Sequence, residues 1–197
     1  LLSLAFACIF FIANNSTASV AELSQEEKEA LHQQYVEILN EVKSTVSWGD
    51  SLVDIEVTPI SKFKEEDWVS PEVFKQRAID ATQANAVEVP STGIAPRSTG
   101  SASHKIEINH GSTPVNITVS ASFTTQLSGG RQVFTNYSNL GFTSSKGDWT
   151  KTGVDARIID GGRTYTFTIG GSLNYLGLTS YHTLNTDFLC SSTGVIS

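Results

Sequence analysis

The strongest constraint on the fold is a change of apolar period across Pro90–Ser103, PSTGIAPRSTGSAS. Before this stretch, apolar side chains recur at the 3.6-residue spacing of a helix. After it they alternate one by one, as in a half-buried strand. The stretch itself mixes Pro, Gly, Ser and Thr and suits neither element. Such a switch predicts an α+β protein: a short N-terminal helical region of two helices and one short strand, then a mainly antiparallel β-sandwich of six or seven strands.

Charge divides the chain at the same border. Residues 22–89 carry fifteen Asp/Glu against six Lys/Arg, and residues 90–197 carry five against seven. The overall net charge of −7 argues against nucleic acid or an anionic membrane as a general partner. Four regions are expected: 1–21, an acidic helical region over 22–89, a linker over 90–103, and the β-domain over 104–197.

Leu1–Ala13, LLSLAFACIFFIA, is an apolar run too short to span a bilayer, and small residues follow it, ending Ser19-Val20-Ala21. That pattern predicts a secretory signal cleaved after Ala21, its basic n-region lying ahead of Leu1, and hence an extracellular protein. Cys8 would leave with the signal. Cys190 would then be the single mature cysteine, with no internal disulfide.

The spacing predicts a first helix over Leu23–Trp48. Ser24 and Glu27 form a capping box, Leu31, Tyr35, Ile38, Leu39, Val42 and Val46 form one stripe, and Gly49 follows as a stop. That stripe must be covered by the protein or by a partner. Leu52–Thr58 alternates as a short strand. Ser70-Pro71-Glu72 opens a second helix that runs to about Asn85, with Val69 and Phe74 as a staple.

In the β-domain, Val115, Ile117, Val119, Ala121 and Phe123 alternate with polar residues. Gly129-Gly130 and Asp160-Gly161-Gly162 read as hairpin turns. Gly170-Gly171-Ser172 lies inside a predicted hairpin, between strands Thr164–Ile169 and Leu173–Leu176, and Lys146-Gly147-Asp148 reads as a loop carrying Trp149. Of the 108 residues from Pro90 onward, 33 are Ser or Thr, so the expected strand surfaces are hydroxyl-rich.

Motifs for chemistry are sparse. His32, His104, His110 and His182 have no metal-ligand spacing, and no cofactor motif stands out. Asp155 with Asp187 is the carboxylate pair to test for glycoside hydrolysis. Thr183-Leu184-Asn185-Thr186 resembles the Thr-Leu-x-Thr that precedes the nucleophilic cysteine of sortases. That resemblance implies a cysteine at the next position, with a histidine and an arginine beside it. Here Asp187 stands there, Cys190 comes three residues later, and no arginine follows Arg163.

Trp149, Tyr137 and Tyr165 are the candidate ligand-binding residues, since aromatic faces suit the C–H faces of sugars. The expectation is a secreted, non-catalytic binding protein for a glycan, a cell-envelope component or another extracellular protein. Its contact surface would combine Trp149 with the loops around Gly129 and Gly161. Two other classes compete: a secreted hydrolase whose acidic segment is a pro-region, and an inhibitor or bacteriocin-like protein that uses the first helix's stripe.

Overall fold

A computed structural model describes residues 23–45, 53–89 and 100–197. The expected signal segment, Val46, the Gly49 stop and most of the linker lie outside the described residues. Two helices and eight strands form an α+β fold in which two four-stranded antiparallel sheets face each other.

Helix α1, Gln25–Thr45, starts at the expected capping box. The Ser24 N–H donates to Glu27 Oε2 at 2.8 Å, and the Glu27 N–H donates back to Ser24 Oγ at 3.3 Å. Strand β1, Ile55–Val57, follows, and two short 3-10 turns lead to helix α2, Pro71–Thr82. Ser70 caps α2 by accepting the Val73 N–H at 3.4 Å, with proline at the first turn where no N–H is needed.

The second helix stops three residues earlier than expected. Asn85–Val89 is strand β2, with its residues paired to Asn109–Lys105 of β3, Ser101–His110. A five-residue run directly after a helix carries too few residues to announce its own period. Pairing with the long neighbouring strand decides its state. Strand β3 also takes in Ser101–Ser103, the end of the expected linker.

The remaining strands are β4 (Thr113–Ser128), β5 (Arg131–Ser144), β6 (Asp148–Ile159), β7 (Thr164–Tyr175) and β8 (Leu178–Leu189). One sheet runs β1-β8-β7-β6 and the other β2-β3-β4-β5. The N-terminal segment therefore supplies one edge strand to each sheet. Both expected glycine turns close hairpins, β4–β5 and β6–β7, with Gly129, Gly130, Gly161 and Gly162 all at positive φ.

The interior follows strand parity. Val115, Ile117, Val119, Ala121 and Phe123 of β4 face Phe167, Ile169 and Leu173 of β7 and Leu184 and Phe188 of β8, all buried. The stripe of α1 is covered by the protein itself. Tyr35 is fully buried and stacks on Phe74 of α2 with ring centroids 4.0 Å apart. Its hydroxyl donates to the Val69 carbonyl at 2.5 Å and accepts the Val69 N–H at 2.8 Å.

Tyr35→Phe keeps the ring and strands both Val69 groups. It should lower unfolding stability by about 1–3 kcal/mol, read as a drop in urea midpoint at unchanged slope.

Candidate functional site

The sandwich has two unlike ends. At the helix end lie α2, the β3–β4 turn at Gly111 and the β7–β8 turn at Leu176-Gly177. At the opposite end lie the two glycine turns and the C-terminal residues 190–197. Val133 of β5 packs against Gly162, which brings the two glycine turns side by side. The Gln132 N–H donates to the Ser192 carbonyl at 2.9 Å and joins the C-terminal residues to them.

The three expected aromatics do not form one surface. Tyr165 is 7% exposed and belongs to an interior cluster, stacked on Phe167 and edged by Phe123, Phe134 and Tyr137. Its parity with Phe167 and Ile169 turns it inward, so it offers no outer face to a ligand. Tyr137 is half-buried, edge-on to both Tyr165 and Phe167. Trp149 lies in strand β6, not in a loop, and is also half-buried.

Gly170 and Gly171 do not separate two strands, since β7 runs unbroken through them. Gly171 instead makes room for the Trp149 ring, which a side chain there would overlap. From Trp149 to Ile159 at the glycine turns, β6 runs about 33 Å, so the expected combined surface is split between opposite ends.

The catalytic pairings are not assembled. Asp155 and Asp187 both stand on the outer face of the β6–β8 sheet, aligned with Thr168 and Thr166 of the strand between them. Their Cα atoms are roughly 12 Å apart on an open surface, and Asp155 is already paired with Arg157 at 2.5 Å. Cys190 is buried, its thiol donates to the Gln132 carbonyl at 3.6 Å, and burial pushes its pKa up, away from an activated thiolate. His182, beside His110, lies eight residues back along the chain, roughly 26 Å away.

His104 belongs to a further polar cluster, whose geometry is not that of a triad. His104 Nδ1 lies 2.5 Å from Glu88 Oε1 and 3.0 Å from Thr186 Oγ1, and Thr186 donates to the same carboxylate oxygen at 2.8 Å. In a triad the histidine is the base, and the nucleophile and the orienting acid sit on its two different ring nitrogens. Here both partners share one, and Thr186 is buried. The cluster ties β8 of one sheet to β2 and β3 of the other. Among the described residues, no group of three His, Cys, Asp or Glu could hold a metal, and no helix is long and apolar enough to cross a membrane.

A cleft at the helix end, lined by Thr58, Lys64, Asp67, Asp148 and Tyr175, holds a cavity of about 10 Å³. That is far below the usual ~300–1,000 Å³ of a small-molecule site, and the Lys64–Asp148 ion pair at 2.9 Å lies in it.

The glycine-turn end is different. Seven large apolar side chains are exposed among the described residues, and four lie here: Leu127 (70%), Leu189, Ile159 and Ile158. Ile159 and Leu189 flank Thr164 in one row across the sheet. Arg131 turns Nε and Nη2 to the carbonyls of Gln132 and Cys190, and Arg163 turns Nε to that of Asp160. A guanidinium has five N–H donors, so each keeps others for a ligand. Ile158, aligned with Tyr165, faces the other side of β6 from Ile159, and Leu127 belongs to the other sheet, so the four border the two turns without forming one face.

Gly171→Val should destabilise the fold by about 1–3 kcal/mol through overpacking on Trp149, with a changed near-ultraviolet tryptophan signal as its signature. No family model matches the chain, and neither a curated protein nor a solved structure matches it.

Proposed function

We propose that the protein is a secreted, non-catalytic interaction module that binds a glycan-bearing component of a cell envelope through its glycine-turn end. The observation that carries this reading is the concentration of exposed apolar side chains around two turns flanked by arginines. Apolar side chains suit the C–H faces of sugars, and the arginines suit hydroxyl or anionic groups between them. Elsewhere the outer strand faces carry mainly Ser, Thr and Asn, the pattern of a solvated surface. Secretion rests on the Leu1–Ala13 run and the Ser19-Val20-Ala21 that follows it.

The competing classes fit less well. A removable pro-region would have to take β1 and β2 out of both sheets. An inhibitor acting through the α1 stripe would need Tyr35, Leu39 and Val42, which are buried.

Co-sedimentation with isolated cell-envelope material, backed by a glycan array, tests the proposal. The full chain should bind, and Leu127→Ser combined with Ile159→Ser should weaken binding at least tenfold, about 1.4 kcal/mol. Val73→Ser, on exposed α2 surface at the other end, should leave it unchanged. Equal binding by all three proteins, or none by wild type, would remove the proposal.

A further inference from the structure

We propose that His110 and His182 form an acid-sensitive latch between the two sheets, which opens the helix end of the sandwich when an imidazole takes up a proton. His110 is the last residue of β3 and His182 lies in β8, so the two rings meet from opposite sheets. Their centroids are 6.4 Å apart, and the residues are 8% and 7% exposed. His182 Nε2 lies 2.8 Å from Ser180 Oγ, whereas His110 Nε2 is buried with no hydrogen-bond partner. Trp149 lies beside His182 at 6.5 Å, its own indole N–H also buried and unpaired.

The surroundings give a proton little compensation. From α2, Asp80 acts on His110 and sits against Gly111, with one of its carboxylate oxygens held by Gln76 at 2.8 Å. From β7, Tyr175 stands edge-on to His110 at 5.9 Å, and Arg77 and Glu66 act on Tyr175 in turn. From β6 the neighbour is Trp149, and from β1 it is Ile55, aligned with Ser180; neither is charged. The titratable group acting on His182 is His110, which opposes a positive charge.

Both rings are therefore neutral at pH 7. Burial first, then His110, lowers His182 to about 4, and burial lowers His110 against the pull of Asp80. An opened ring titrates near ~6.5, so between pH 6.5 and 4 the open form binds more protons than the closed one. The closed form keeps its full stability above pH 6.5 and loses it as pH falls toward 4. His182 alone moves the opening equilibrium about 30-fold by pH 5.

Urea unfolding of the full chain from pH 7.5 to 5, followed by tryptophan fluorescence, tests the latch. The wild-type unfolding constant should rise at least about 20-fold between pH 7 and 5. His182→Gln and His110→Gln, which place an uncharged amide near Nε2, should each lose much of that rise. A flat wild-type profile, or an undiminished rise in both glutamine variants, would overturn the latch. Should the variants not fold at pH 7, imidazole NMR of the wild type decides. A His182 ring still neutral at pH 5 in the folded protein supports the latch, and titration near 6.5 with the fold intact overturns it.

Discussion

One face of α2 holds the two sheets in register at their helix end. Arg77 donates to the Leu176 carbonyl, in the turn of the β7–β8 hairpin, at 3.3 Å. Asp80, one turn on along the same helix face, sits against Gly111, in the turn of the β3–β4 hairpin. The guanidinium also reaches the Asp67 and Glu66 carbonyls, so it fixes the chain that leads into the helix. Because β1 and β2 flank α2 in sequence and join opposite sheets, the helix bridges them as a short covalent strut would. Tyr35 then adds α1 to this unit by stacking on Phe74.

This arrangement separates the two ends chemically. The acidic segment gathers at the helices, where the His110 and His182 rings also meet. The glycine turns carry few charges, and two of those present are arginines turned toward nearby carbonyls. A molecule so divided meets a surface in a preferred orientation, with the acidic end turned away from anionic groups. The net charge read from composition averages over this division.

Legibility followed the length of each periodic run. The nine-residue alternation Val115–Phe123 and the capping box at Ser24 place a strand and a helix without ambiguity, and both hairpin glycine pairs mark real turns. Asn85–Val89 is too short to declare itself against the helix before it. Gly171 falls between two expected strands because its space is occupied by Trp149, a residue 22 positions earlier that no local rule links to it. The histidines had a usable signal in parity: His182 alternates in phase with Leu178, Leu184 and Phe188, and His110 with Ile106 and Ile108. Parity alone turns both inward. Only the topology makes them neighbours.

The pairing of β2 with β3 bears on what a break in the chain between Val89 and Gly100 would do. Residues 85–89 would stay hydrogen-bonded to residues 105–109, with β1 on β8 and α2 still spanning both sheets. The chain thus behaves as two complementary pieces, 23–89 and 100–197, and a nick would turn folding into association. Release of the helices would then depend on dilution as well as on conformational stability. The same seam makes the protein a natural candidate for division into a reconstituting pair.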